Sequence, residues 1–253
     1  MSGDAPPLPS FFRLVRYDAI GSTNDEAKRL ARDGLPEGIL VWALEQTAGR
    51  GRRGRPWASP PGNLYASLLL RPDCSAMRAA QLGFVAALAL VEALEPLVGR
   101  TVELRCKWPN DVLANGRKLA GILLESETGE EDRPAFVVLG IGVNLAAAPG
   151  SVEYPATSLA AEGVAPVTPG IVLAGFARRF EHWAARWARE GFAPVREAWL
   201  GRVAALGEPI RVRLESGEWY GRFLDIDADG ALLLDGEGGH RRIAAGEVFP
   251  AAA

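Results

Sequence analysis

Cysteine, histidine and methionine are scarce in this 253-residue chain, with two of each. Cys74 and Cys106 stand far apart, as do His182 and His240. That spacing offers neither a disulfide scaffold nor the close Cys/His set of a structural zinc site. A basic surplus is also missing: the formal net charge is -3. The molecule as a whole is therefore not built to hold a polyanion, and any anion site must be local. The opening MSGDAPPLPS has no basic stretch leading into an apolar one, so it does not read as a secretory signal. Residues 1–11 read as a flexible tail. The most apolar run, Ala79 to Val91, is bounded by Arg78 and Glu92 and is too short to span a bilayer. These absences lead us to expect a soluble, cytoplasmic protein.

What is present is ample core-forming material, since 48% of the residues are hydrophobic. Phe12 to Asp18 reads as a strand. Ser22-Thr23-Asn24 then offers N-cap side chains to a helix that Gly34 and Pro36 stop. Ile39 to Leu44 and Leu64 to Leu70 read as strands, and Ala79 to Leu97 as a buried helix. Val102 to Cys106 alternates like a half-buried strand. Val112 to Leu124 reads as a hairpin turning at Asn115-Gly116, the pair favoured by type I′ geometry. Phe136 to Val143 is a buried strand. Phe176, Phe180, Trp183 and Trp187 recur at helical spacing within Ile171 to Glu190.

Beyond Leu206 the texture changes to short strands, Pro209 to Leu214, Trp219 to Ile226, Ala231 to Leu234 and Arg241 to Val248, with glycine-rich turns between them. The expected fold is α+β. The larger part spans 12–205, and a small β-barrel spans 206–253.

Three segments carry chemistry. Gly49-Arg50-Gly51-Arg52-Arg53-Gly54-Arg55 combines backbone N–H groups free to form an anion nest with arginines that grip carboxylate or phosphate. Alone, it reads equally as a solvated loop or a nucleic-acid patch. Lys107-Trp108-Pro109-Asn110-Asp111 and Arg117-Lys118-Leu119-Ala120-Gly121 flank a tight hairpin that would fix Lys118, a compact charge suited to neutralising two anions that must meet. Read alone, that pair is also compatible with an ordinary surface hairpin. Gly140-Ile141-Gly142-Val143-Asn144 ends a buried strand and would let a ligand lie against the backbone. It lacks the third glycine and helix of a dinucleotide fingerprint, and 49–55 lacks the Gly-Lys-Ser/Thr ending of a P-loop.

Taken in order, Gly21 to Asn24, Gln46 to Gly54, Lys107 to Asp111, Arg117 to Ile122 and Gly140 to Asn144 resemble the motifs of biotin protein ligases, over about Phe12 to Phe249. The resemblance implies a mixed β-sheet catalytic domain covered by helices over 12–205 and an SH3-like form for the barrel over 206–253, with biotin as substrate, ATP with Mg²⁺ as co-substrate, and a biotin carboxyl carrier protein of a carboxylase as acceptor. It implies that Ser22, Thr23, Asn24 and Gln46 surround the ureido ring, and that Gly49, Arg50, Gly51 and Arg52 close over biotin and its adenylate. Lys118 would touch the biotin carboxylate and the α-phosphate, which makes it, with Arg50 and Arg52, a catalytic candidate. Gly121, Gly140 and Gly142 would form the pocket floor. Trp57 corresponds to the family's adenine-stacking residue, with Lys107, Asn110 and Asn144 on the nucleotide side and Asp111 assisting the metal or the incoming lysine.

The resemblance also sets two departures. Too few residues precede the first motif for a helix-turn-helix module, so no DNA binding or repressor role is expected. Pro56 stands before Trp57 and brings a fixed φ into the loop. The alternatives are a lipoate-protein ligase, which makes the same kind of adenylate, and a nucleic-acid-binding protein using the Arg/Gly loop. A homodimer through an exposed sheet edge is compatible with the sequence.

Overall fold

The computed structural model describes residues 6–150 and 153–251. Residues 1–5 of the expected tail lie outside this range, whereas Leu8 already packs against the core and Phe12 is buried. The first strand, β1 (Arg13–Ile20), leads through Ser22 into α1 (Thr23–Arg32). Ser22 caps that helix by accepting from the Asp25 N–H, and Asp25 and Glu26 in the first turn complement the helix dipole. The crossover returns as β2 (Ile39–Gln46), parallel to β1. After the Arg/Gly loop come β3 (Leu64–Leu70), α2 (Ala76–Ala80) and α3 (Leu82–Val98). Then follow β4 (Leu104–Lys107), β5 (Asp111–Ala114), β6 (Arg117–Thr128) and β7 (Pro134–Val143).

These strands form one mixed sheet in the order β1-β2-β3-β7-β6-β5-β4, antiparallel except for β1–β2. Helix α1 covers one face with Ala27, Leu30 and Ala31 against Val41, Leu69, Phe136 and Val138. The other face is covered by α3 and by α4 (Pro169–Glu190). Phe176, Phe180, Trp183 and Trp187 form the buried stripe of α4, as their spacing predicts. The segment Ala76–Thr101 is long and apolar enough to pass as a membrane span, but two thirds of its apolar window is buried inside the fold. It is a core helix.

Three local expectations differ from the structure. The expected helix from Ala79 is two helices with Gln81 between them, where the Gln81 side chain accepts from Trp187 Nε1 and donates to the Ala228 carbonyl. A further helix, α5 (Ala193–Leu200), buries Val195 and Trp199 and was not expected. The single last strand, expected over Arg241 to Val248, is two strands on opposite edges of the second sheet.

That second sheet contains β8 (Pro209–Leu214), β9 (Gly217–Ile226), β10 (Leu232–Gly236), β11 (Gly239–Ile243) and β12 (Glu247–Pro250). It is antiparallel with order β11-β10-β9-β8-β12, so its edge strands are neighbours in sequence. From Ile243 to Glu247 the chain reaches at most about 14 Å. The edges of a flat sheet of this size would stand about 19 Å apart. The sheet must therefore curl as an SH3-like unit does, yet among the described residues β11 and β12 share no ladder, so the expected barrel is open. Its inner residues Ile210, Val212, Phe223 and Leu234 join the main core. Trp108 Nε1 donates to the Gly230 carbonyl across the junction.

Candidate active site

The N-terminus of α1, the end of β2 and the middle of β3 meet in a buried polar chain. Thr23 donates to Gln46 Oε1 from both its backbone N (2.8 Å) and its hydroxyl (2.9 Å). Gln46 Nε2 donates to Ser59 Oγ at 3.0 Å. Ser67 Oγ lies 2.8 Å from Thr23 Oγ1 and 2.5 Å from Asn24 Oδ1, sharing its one proton between them. Asn24 Nδ2 donates to Glu125 Oε2 at 2.7 Å, and Lys28 Nζ to Glu125 Oε1 at 2.6 Å. Burial pushes the Glu125 carboxyl up, but the bonds from Asn24 and Lys28 outweigh it and hold the group below the usual range. Ser22, Thr23, Asn24 and Gln46 are thus brought together as expected. Ser59, Ser67 and Glu125 complete the chain and were missed. A serine inside the apolar run Leu64–Leu70 was the available signal for Ser67.

The Arg/Gly segment folds as a small hairpin. Arg50 bridges to Pro56, Gly51 N–H donates to the Arg55 carbonyl, and Trp57 N–H donates to the Gly49 carbonyl. The Gly51 amide, expected to point at an anion, serves the loop itself. Gly49 is needed for close packing, because a Cβ there would stand 2.6 Å from both Ser59 Oγ and the Trp57 carbonyl. Arg50 forms a bidentate pair with Asp25 at 2.6 and 2.5 Å, which raises its own pKa and lowers that of Asp25. Arg52 donates to the Gly246 carbonyl (3.1 Å) and to Asn110 Oδ1 (3.3 Å). Its burial lowers the guanidinium pKa. Arg55 reaches Glu247 at 2.9 Å, so the loop is tied to α1 at one end and to β12 at the other.

Gly121 and Gly142 are cross-strand partners on β6 and β7, and the Trp57 indole lies on them. A Cβ on Gly142 would stand 2.6 Å from Trp57 Nε1, and one on Gly121 3.1 Å from Trp57 Cζ3. The Trp57 indole Nε1–H is buried and unpaired. Gly140 makes room for Asn24, whose Oδ1 would lie 2.2 Å from an added Cβ. The floor glycines therefore admit side chains of this protein, where a ligand was expected against the backbone.

Asn115 and Gly116 both have positive φ (48° and 76°), as the predicted hairpin turn requires. A bulge follows: Leu113 faces Lys118, but Val112 faces Ala120. The extra residue turns Lys118 onto the face of Gly121, with Lys118 Cε 3.5 Å from that glycine's virtual Cβ. Lys118 Nζ lies 5.4 Å from the centre of the Trp57 ring and 2.6 Å from Asp111 Oδ1. Lys107 Nζ lies 3.5 Å from Asp111 Oδ2. Burial lowers the Lys107 pKa, Asp111 opposes this, and the like charge of Lys118 adds to it.

Asp111 is thus held between two ammonium groups. No group of three His, Cys, Asp or Glu side chains able to hold a metal occurs among the described residues. The donor set around Asp111 does not fit a protein-held cation. Asn110 donates to the Ile122 carbonyl and Asn144 to the Thr157 carbonyl (3.1 Å), so both brace the site's walls.

The model of the Biotin/lipoate A/B protein ligase family matches residues 18–144, and that of the Biotin protein ligase C terminal domain matches residues 205–249. The biotin–[acetyl-CoA-carboxylase] ligase of Paracoccus denitrificans is 51% identical over 241 residues, 93% of this chain and 98% of that relative. The ligase of the same name from Mycobacterium tuberculosis is 36% identical, over 90% of this chain and 85% of its own. A biotin protein ligase from Aquifex aeolicus in complex with biotin and ATP superposes with a TM-score of 0.78 at 28% identity, covering 94% of this chain and 97% of that one.

Proposed function

The chain belongs to the biotin/lipoate A/B protein ligase family and within it to the biotin protein ligases, and from that premise we propose that it joins biotin to a carrier-protein lysine. In the first half-reaction a biotin carboxylate oxygen bonds to the α-phosphorus of ATP and pyrophosphate leaves, giving biotinyl-5′-AMP. In the second, a lysine amine of a biotin carboxyl carrier protein attacks the acyl carbon, loses its proton, and AMP departs with the bonding electrons.

One juxtaposition carries this reading. Lys118, held by Asp111, stands beside Trp57 over Gly121 and Gly142, next to the polar chain of Thr23, Gln46 and Asn24. The polar chain suits a ring with N–H and C=O groups and penalises an acid that lacks them. Lys118 supplies fixed positive charge where carboxylate and α-phosphate meet, and its 2.6 Å ion pair with Asp111 keeps it aimed. The hairpin of Arg50 and Arg52 covers the mixed anhydride and excludes water, which would destroy it. Asn110, Asn144 and Lys107 shape the nucleotide side. Because Asp111 is engaged by lysines, magnesium is assigned to the nucleotide's own phosphates on entry.

The carrier is assigned to an acetyl-CoA carboxylase or a related enzyme, in keeping with the names of the relatives, and the site of action to the cytoplasm. The net charge of -3 lends no support to a nucleic-acid role. Past Ile122 the described part of β6 has β7 on one side and no strand on the other, an edge on which we place a homodimer contact. The test is ATP–pyrophosphate exchange with the purified protein, offered biotin and lipoate in separate reactions. Exchange dependent on biotin alone is expected, and exchange supported only by lipoate would overturn the assignment.

A further inference from the structure

Two carboxamides end the polar chain beside Trp57, and each is pinned in one orientation. Gln46 Oε1 accepts from the Thr23 backbone N–H at 2.8 Å, so its Nε2 faces Ser59, whose own proton goes to the Trp57 carbonyl. Asn24 Nδ2 donates to Glu125 Oε2 at 2.7 Å, so its Oδ1 faces Ser67. Between those two carboxamide oxygens stand the hydroxyls of Thr23 and Ser67, 2.8 Å from each other. Three short oxygen–oxygen contacts, Gln46–Thr23, Thr23–Ser67 and Ser67–Asn24, therefore share two hydroxyl protons. One contact always lacks a hydrogen.

Ser67, Thr23 and Asn24 are all buried, and among the described residues no other donor reaches Thr23 Oγ1 or Asn24 Oδ1. A buried acceptor left unserved costs free energy that a bound donor recovers. The deficit depends on Glu125. Lys28 Nζ holds its other oxygen at 2.6 Å, and Asn24 and Lys28 together keep the carboxyl below the usual range. A carboxylate only accepts, so it takes the Asn24 amide NH2 and leaves Oδ1 to Ser67. The Asn24 side chain lies against Gly140, where an added Cβ would stand 2.2 Å from Oδ1. Within that space the carboxamide can still turn end for end, because its two ends are nearly equal in size. Turned, Asn24 would donate to Ser67, Ser67 to Thr23 and Thr23 to Gln46, and every contact would hold a proton.

We propose that Glu125, paired with Lys28, is a positioning residue that orients the Asn24 carboxamide so that the polar chain lacks one proton and selects a substrate ring carrying an N–H donor. This rests on the ligase reading, which places the ureido ring of biotin against Thr23, Asn24 and Gln46. An N–H of the bound ring donates to an oxygen of the chain and makes up the deficit. An acid without such a group, lipoate included, leaves the deficit in place. Glu125 acts through Asn24 and not on the reacting carboxylate, so its loss is read in binding and not in turnover.

Glu125→Gln tests orientation and not bulk, because the isosteric side chain keeps both hydrogen bonds. With its Oε1 on Lys28 it offers Nε2 to Asn24 and turns the carboxamide, which leaves the chain no unserved acceptor. The biotin dissociation constant, measured by calorimetry without ATP, should rise about tenfold, the size of one lost hydrogen bond. The KM for biotin in pyrophosphate exchange should rise by the same factor, while the KM for ATP and kcat at saturating biotin stay at wild-type values. Glu125→Ala lets Asn24 take either orientation, so it should weaken biotin binding less than Glu125→Gln while lowering the urea midpoint more. In an Asn24→Ala background, Glu125→Gln should weaken binding no further. Wild-type affinity in Glu125→Gln, a greater loss of affinity in Glu125→Ala, or an additive loss in the double variant would overturn the proposal. A wild-type protein that binds no biotin would instead overturn the ligase reading.

Discussion

Replacing Gly142 by alanine tests whether the seat of Trp57 belongs to the active site. The added Cβ would lie 2.6 Å from Trp57 Nε1 and Cε2, closer than carbon contacts allow. Gly142 is not among the residues with positive φ, so alanine fits its backbone without strain. The indole must therefore move, and with it the hairpin anchored by the Trp57 N–H to the Gly49 carbonyl. Lifting the ring off the floor forfeits on the order of ten atom contacts at about 0.1–0.2 kcal/mol each, or roughly 1–2 kcal/mol. At about 1.4 kcal/mol per factor of ten, that predicts roughly a 5- to 30-fold loss in kcat/KM for biotin-dependent pyrophosphate exchange.

Folding stability should fall by at most about 1.5 kcal/mol, since alanine in a strand recovers about 0.5–1 kcal/mol of the lost contact energy relative to glycine. Gly83→Ala is the control, because a Cβ there meets nothing within 4 Å. Exchange at the wild-type rate in folded Gly142→Ala would refute the idea that the indole's position on this floor matters to the reaction.

Lys118→Ala should lower adenylate formation about 10²- to 10³-fold, the usual cost of a preorganised charge-stabilising donor, while the urea midpoint stays near wild type. Normal exchange kinetics would remove Lys118 from the chemistry. Asn63, 1% exposed, accepts from the N–H groups of Leu145, Ala146 and Ala147. Asn63→Ala leaves these donors unpaired and should cost about 3 kcal/mol, and a smaller loss in equilibrium unfolding would show that water replaces the carboxamide.

Acid stability should follow Glu125. Its folded pKa is lowered, so its contribution is complete above the ordinary value of 4.5 and is lost as pH falls through the lower folded value. The urea midpoint should thus fall less steeply with acid in Glu125→Gln, and an identical slope in the two proteins would refute this.

Much of the fold was legible because its cues are local. Ser22 caps α1, Asn115-Gly116 turns the hairpin, and the aromatic stripe of α4 repeats at helical period. Helix α5 escaped notice because eight residues with two buried side chains give little periodicity. The break at Gln81 had no local cue, since glutamine is at home in a helix, and its cause lies in partners more than a hundred residues away in sequence. The split between β11 and β12 follows from curling the whole sheet, which no short window records.

For the site, the sequence by itself determined which residues would gather: Ser22 to Asn24, Gln46, the Arg/Gly loop, Lys118 and the floor glycines recur in the order of a known ligase family. It determined them because each motif pairs a residue's chemistry with a local backbone need. The tertiary structure alone decided how they meet. The bulge opposite Val112 and Leu113 turns Lys118 toward Gly121, Trp57 fills the space those glycines leave, and β6 brings Glu125 beside Asn24. Such placements depend on strand register and on contacts between distant segments, and a one-residue shift in a strand exchanges the faces on which its side chains lie.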